Sequence, residues 1–285
     1  MNRRSLRVES ATQHRVARPL PLFVVFGGQR SGSTLVASRL DSHPRIACHE
    51  EVLLPSVDSE PSLRQWLTAN RRPQWLRMFP SIRESFLDSL VDSDPGPDID
   101  VIGIKIMYDQ ISLWPKLSYI FPSFGRACHD MRLLRWMKDN QVVIIHTLRR
   151  NHLKMLASHA LAARTGRFHS RNAFRESTRP TISLPLRGLT MRLERIESAE
   201  KVARDAIRGM PAMEVWYEDY VGPQGQEIEA RLCAVVGQEV PDGGLVSPLA
   251  KVGSDNLKDT LANYEDVVRR LSGTRFARFL DDPAL

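Results

Sequence analysis

The sequence predicts an α/β fold, a single domain with a central parallel sheet flanked by helices. Three observations carry that expectation. The apolar runs Leu22-Phe23-Val24-Val25-Phe26, Val101-Ile102-Gly103-Ile104 and Val142-Val143-Ile144-Ile145 are continuous rather than alternating, as in strands buried on both faces. Segments with leucines and aromatics at helical spacing separate them, and strands alternating with helices place helices on both faces of a parallel sheet. A glycine-rich turn, Gly27-Gly28-Gln29-Arg30-Ser31-Gly32-Ser33-Thr34, joins the first apolar run to the first helical pattern.

The elements are justified in order. Residues 1–19 carry Arg3, Arg4, Arg7, Arg15 and Arg18 without apolar periodicity and are expected to be a mobile basic arm; the domain is expected to span 20–285. The apolar run after that arm is short and lacks a small-residue cleavage site, so it reads as a strand over 21–26 and not as a signal peptide. A helix is expected over 33–42, ended by His43-Pro44 because proline disfavours a helical residue before it. Ile46-Ala47-Cys48 reads as a short strand leading to His49-Glu50-Glu51. Two helices are expected between Pro61 and Leu90, around Arg71-Arg72-Pro73. An exposed acidic loop follows at Asp92–Asp98, then a buried strand at Val101–Ile106. The pattern continues with a helix at Met131–Met137, a central strand at Val142–Leu148 that is β-branched and apolar without alternation, a helix from about Asn151 to Thr165 and an arginine-rich loop over 166–187. A helix at Thr190–Arg208, a strand at Met213–Tyr217 and helices at Ile228–Val236 and Leu261–Ser272 complete the chain.

Composition narrows the class. With 285 residues, 42% hydrophobic and 26% charged, the chain has the make-up of an ordinary globular protein. No stretch reaches the roughly 18–20 apolar residues of a membrane span. The net charge of +7 suits an anionic ligand, a nucleic acid or an anionic membrane surface equally. Cys48, Cys128 and Cys233 are scattered, without metal spacing or a disulfide framework, which suggests a reducing cytoplasm.

Strand, glycine turn and helix start form a phosphate-binding layout, in which backbone N–H groups and the positive end of the helix dipole converge on an anion. The spacing from Gly27 to Gly32 to Thr34 fits the phosphate loop of nucleotide triphosphatases except at one place. Ser33 stands where the lysine should be, and the nearby cation is Arg30, inside the loop. A second constellation lies at the end of the central strand. Arg150 is expected at its carboxyl edge, where open α/β sheets place ligands, and Ser158 follows eight residues later, within the next helix. A guanidinium fork with a hydroxyl makes a phosphate clamp; the alternative is a basic helix start with a surface serine.

Together these segments resemble the sulfotransferases that use 3′-phosphoadenosine 5′-phosphosulfate (PAPS), and imply their phosphate-loop-like fold. Arg30-Ser31-Gly32-Ser33-Thr34, His43-Pro44 and Glu50-Glu51 are similar to the protein-tyrosine type. Gly103–Gln110 and Leu148–Gly166 are similar to bacterial carbohydrate types, including the trehalose type. The resemblance implies that Gly28, Gln29, Arg30, Ser31, Gly32, Ser33 and Thr34 hold the 5′-phosphosulfate, that Arg150 and Ser158 hold the 3′-phosphate, and that the product is adenosine 3′,5′-bisphosphate (PAP). It also implies that an acceptor hydroxyl, on a carbohydrate or other small molecule, loses its proton to Glu51, with Glu50 and the nearby histidines as alternates. Lys105, inside an apolar strand, must emerge at the strand end or meet an anion. In relatives a lysine stabilises the departing phosphate, and Lys105 together with Arg30 is the candidate here.

No metal is expected, although Asp109 could be argued for one. The arginines from Arg149 to Arg187, with Phe168 and Phe174 among them, read as a solvated loop at the acceptor mouth or as a nucleic-acid surface. Lys251-Val252-Gly253-Ser254 is a weak match to the family's nucleotide lid, and Trp216-Tyr217-Glu218-Asp219 resembles a strand-end motif without an assigned role. The competing expectations are a kinase or NTPase using Mg-ATP and a basic nucleic-acid-binding protein.

Overall fold

The computed structural model describes residues 20–54, 61–93, 95–111, 131–166, 180–249 and 256–280. The expected basic arm, most of the arginine-rich loop and the Lys251–Ser254 segment lie outside the described residues. Five strands form the sheet: β1 (Leu22–Gly27), β2 (Ile46–His49), β3 (Val101–Met107), β4 (Val143–Leu148) and β5 (Ala212–Trp216). Their order is β2-β3-β1-β4-β5, and every pairing is parallel. The α/β class with a parallel sheet is therefore as the sequence predicts.

The register fixes where the chemistry can sit. β1 is central, and Gly27 at its carboxyl end pairs with Met107 of β3 on one side and Thr147 of β4 on the other. The segments that follow β1, β3 and β4 therefore leave the sheet along one edge, which is where open α/β sheets bind ligands.

Helices α1 (Ser33–Asp41), α2 (Leu63–Ala69) and α3 (Pro80–Val91) precede β3, with a 3-10 turn at Gln74–Met78 between α2 and α3. Helix α4 (Met131–Asp139) precedes β4, and α5 (His152–Thr165) and α6 (Leu189–Ala206) separate β4 from β5. Helices α7 (Tyr217–Val221), α8 (Gly225–Val235), α9 (Leu257–Thr260) and α10 (Tyr264–Leu271) follow, with a 3-10 turn at Arg275–Phe279.

Every residue of β1 and β3 is buried, which explains their unbroken apolar runs. One face of the sheet, with Val24, Phe26, Ile104 and Ile106, packs on Phe86, Leu87, Leu133 and Met137 from α3 and α4. The other face, with Phe23, Val25 and Ile145, packs on Val36 and Leu40 of α1 and Leu232 and Cys233 of α8.

The expected helix over 261–272 is the main departure. Its apolar pattern begins too early, because Leu261 joins a bridge to Ile182. The Ile182 N–H donates to Thr260 O (2.8 Å) and the Ala262 N–H to Ile182 O (2.8 Å), so the chain is extended there and helical only from Tyr264. Tertiary pairing overrides local propensity at that point. Helix α7 and the two 3-10 turns carried no signal that the apolar pattern could show.

Candidate active site

The loop after β1 is shaped by close approach to β4. A Cβ on Gly27 would lie 2.2 Å from Thr147 Oγ1, so only glycine lets the strand end pass. Thr147 Oγ1 in turn lies 2.8 Å from Ser31 Oγ, pinning the loop to β4. The Ser31 N–H donates to Gly28 O (3.2 Å), closing the turn. Arg30 (φ +66°) and Gly32 (φ +97°) are both left-handed. Glycine is required at 32 twice over, since a Cβ there would also meet the Tyr217 ring at 2.7 Å. For Arg30 the same conformation costs on the order of 1–2 kcal/mol, a strain typical of functional loops. Gly32 is the N-cap of α1 and offers no side-chain cap, so the helix begins without a protein anion or hydroxyl at its cap position.

Two guanidinium groups converge on this loop. Arg30 Nε donates to Ser158 Oγ of α5 at 2.9 Å. Arg149 donates to Arg30 O at 3.3 Å and lies over the Tyr217 ring, 4.6 Å from its centroid. Burial, then the charge of Arg149, lowers the pKa of Arg30. An anion seated at the loop relieves that destabilisation.

On the β3 side the structure assembles a cluster around one buried cation. Lys105 is 1% exposed, and its Nζ donates to Thr34 Oγ1 at 2.9 Å, at the start of α1. It also donates to Glu50 Oε2 and lies 3.3 Å from Glu51 Oε1. Of the two expectations for Lys105, the structure shows the second: it stays inside the sheet and meets anions. Glu50 is 48% exposed and Glu51 15%, so Glu51 is the inner carboxylate. Its Oε2 accepts a hydrogen bond from Gln110 Nε2 at 2.7 Å. Ser33 turns away from the loop, its hydroxyl 3.6 Å from Met107 Sδ. Tyr108 packs its ring edge against Gly28 and holds His146 Nε2 through its hydroxyl at 2.6 Å.

On the β5 side Arg150 does not meet Ser158. Its guanidinium makes a bidentate pair with Asp219 (2.6 and 2.7 Å) and lies 5.1 Å from the Trp216 ring centroid. The Arg150 N–H donates to both Glu218 carboxylate oxygens (3.1 and 3.0 Å), which fixes the turn between β4 and α5. A cleft of 470 Å³ opens next to Arg150, lined by His152, Glu200, Arg204, Trp216 and Phe279 among others; no residue of the 27–34 loop lines it.

A family model described as Stf0 sulphotransferase matches residues 22–265, from the first residue of β1 into α10. The chain belongs to the Stf0 sulphotransferase family. It is thus an enzyme that transfers a sulfuryl group, and the match spans both sides of the site just described. No curated protein matches the chain.

In this sulfotransferase the predicted loop residues, Glu51 and Lys105 fall together at the carboxyl ends of β1 and β3. Arg150 and Ser158 fall at the same sheet edge but engage different partners. His43 is structural: its Nδ1 accepts from the Arg45 N–H at 3.1 Å and its Nε2 lies 2.9 Å from Glu239 O. Burial lowers the pKa of His49. Asp109 has its pKa raised by burial, with the charge of Glu51 adding to the effect. Among the described residues no group of three His, Cys, Asp or Glu side chains could hold a metal ion, and no helix is long and apolar enough to cross a membrane.

Sequence reasoning missed Gln110, Arg149 and the pair Glu218 and Asp219 as site residues. The signal for the last two was available. A Glu-Asp pair one residue beyond the end of β5 faces an Arg-Arg pair directly after the adjacent β4.

Proposed function

We propose that this sulfotransferase takes its sulfuryl group from PAPS and passes it to an acceptor hydroxyl, with Glu51 as general base. One observation carries the reading: a single buried ammonium, Lys105, touches both the start of the phosphate-loop helix at Thr34 and the inner carboxylate of Glu51. A cation and a base are thereby held side by side at the end of an anion-binding loop. Transfer needs that pairing, because a proton leaves the acceptor while charge grows on the leaving phosphate.

In this reading the loop N–H groups, Arg30 and the start of α1 bind the 5′-phosphosulfate of the donor. Glu51 accepts the hydroxyl proton as the acceptor oxygen forms its bond to sulfur. The bond between sulfur and the bridging oxygen breaks, and its electron pair stays on the 5′-phosphate. Lys105 and Arg30 stabilise that developing charge, which is the most effective place for preorganised donors. Arg150 binds the 3′-phosphate by exchanging Asp219 for it. Ser158 supports the same nucleotide end or holds Arg30 in place. No step calls for a metal. A sugar or other small-molecule hydroxyl is the favoured acceptor, from the similarity of 103–110 and 148–166 to carbohydrate types. The free, buried Cys48 and Cys233 fit a reducing cytoplasm.

Thermal unfolding with nucleotides tests the donor. PAP at one hundred times its dissociation constant should stabilise the protein by about 2.7 kcal/mol, without magnesium. No shift with PAP, together with a clear shift with Mg-ATP, overturns the reading in favour of a kinase or NTPase.

A further inference from the structure

We infer that Gln110 is a positioning residue for the Glu51 carboxylate, an inference that rests on the reading of Glu51 as the base. Gln110 follows β3 by three residues and is buried, with 8% exposure. Its Oε1 accepts the Met107 N–H at 3.2 Å. A backbone N–H can only donate, so that contact fixes which end of the amide faces Met107 and leaves Nε2 pointing the other way. Nε2 meets Glu51 Oε2 at 2.7 Å, and only a donor suits an ionised carboxylate there. The amide therefore has one orientation, set by the backbone of β3, in which it serves Glu51.

The Gln110 backbone is itself tied down. Its N–H donates to Met107 O at 2.9 Å, and its carbonyl accepts from Arg83 of α3 at 2.9 Å. Arg83 also donates to Arg77 O (3.1 Å), so the tether reaches the 3-10 turn before α3. Glu51, by contrast, lies just beyond β2 and just before a turn at Val52 and Leu53; it sits in no regular element that would aim its side chain.

Two contacts therefore define the carboxylate, one on each oxygen: Lys105 on Oε1 and Gln110 on Oε2. A carboxylate has about four acceptor positions, so both oxygens keep capacity for an acceptor hydroxyl. The division of labour is chemical. Lys105 is also committed to Thr34 and Glu50 and to the leaving phosphate, whereas Gln110 holds only Glu51 and the β3 backbone through its side chain among the described contacts. Gln110 keeps the base aimed when the ammonium turns to the phosphate.

The charged and titratable groups facing Glu51 are Lys105 of β3, the neighbouring Glu50 and Asp109, whose pKa Glu51 helps to raise. Removing the Gln110 donor weakens the ionised form of the base against the two carboxyls. The acid limb of the kcat profile should then move to higher pH.

The test compares Gln110→Leu, Gln110→Glu and Glu51→Gln in the full chain, with steady-state kinetics across pH and with thermal unfolding in PAP. Gln110→Leu should lower kcat by roughly 10–100-fold, the scale of an ångström-size misplacement, while KM for the donor and the PAP-induced stabilisation stay as in the wild type. Gln110→Glu retains the size and the Met107 contact but sets a carboxyl against Glu51, so its acid limb should move further than that of Gln110→Leu. An unmoved limb and unchanged kcat in both variants overturn the inference, as does a parallel loss of kcat and PAP stabilisation, which marks a purely structural role. If Glu51→Gln remains active, the base reading itself fails, and the role of Gln110 fails with it. If Glu51→Gln is inactive and the Gln110 variants are normal, only the present inference fails.

Discussion

The two sides of the loop are wired differently. On the β3 side the cation and the candidate base are tied together: Lys105, 1% exposed, contacts Thr34, Glu50 and Glu51, and Glu51 is braced by Gln110. On the β5 side Arg150 is 51% exposed and holds Asp219, itself 29% exposed, in a two-pronged pair. In the interior, charges act strongly on one another and exchange partners only at a cost; at the surface an ion pair contributes about 0–1 kcal/mol and is readily swapped. The contrast matches the two tasks of the proposed reaction. The end where bonds change is preorganised, and the end that must admit and release a nucleotide is held by an exchangeable contact.

Changing Lys105 should break the preorganised side with the largest effect. Lys105→Met keeps an unbranched chain in the sheet but removes the ammonium. A loss of roughly 10²–10³-fold in kcat is expected, the scale for removing one donor from a developing oxyanion. The fold should also lose stability, by less than the 3–5 kcal/mol of a fully buried broken pair, since Glu50 is half exposed and can be solvated. Single-turnover rates and denaturant titration measure the two effects. A variant with near-normal turnover would reduce Lys105 to a fold element and erase the contrast.

How much of this was legible in the sequence divides along the same line. The loop, β1 and β4 were readable because burial on both faces leaves continuous apolar runs and because a strand end pressed against Thr147 tolerates only glycine. Lys105 was readable as a charge that an apolar strand must explain. Glu51 over Glu50 followed from family spacing, and the structure makes Glu51 the inner of the two carboxylates. What was not legible depends on contacts far apart in the chain. Ser158 was expected to join Arg150, yet its hydroxyl meets Arg30, and no local pattern encodes that 128-residue separation. Gln110 lies in a family-like segment that assigns it no role, because its contact with Glu51 depends on an amide orientation imposed by the Met107 backbone. Leu261 read as helical until its pairing with Ile182 is known.

The next effect in size concerns Arg150. If its fork serves the 3′-phosphate, Arg150→Ala should weaken PAP by about 10–100-fold, the value of a charge-assisted hydrogen-bond pair, and should leave adenosine 5′-phosphosulfate, which lacks the 3′-phosphate, nearly unaffected. Calorimetric titration of both ligands gives the ratio. Equal losses would mean that Arg150 acts through the fold, for which its side-chain pair with Asp219 offers a route.

The smallest effect, and the sharpest test of exchangeability, is expected for Asp219→Asn. Hydrogen bonding from Arg150 holds the Asp219 carboxyl below its ordinary pKa, against a smaller opposing effect of burial. A carboxylate whose folded pKa is depressed stabilises the fold above its unfolded value, near 3.9, and that contribution disappears as pH falls through the folded value. At pH 7 the variant should therefore unfold with a loss of no more than about 1 kcal/mol, because the pair is exposed and screened by salt. The difference from wild type should shrink as the pH is taken below about 4. PAP affinity gives the decisive readout. If Asp219 merely occupies the fork until the nucleotide arrives, removing its charge frees Arg150 and PAP binds at least as tightly as before. If PAP weakens as much as in Arg150→Ala, Asp219 aims the guanidinium instead of competing for it. The β5 side would then be as fixed in its geometry as the β3 side, with exposure the only difference between them.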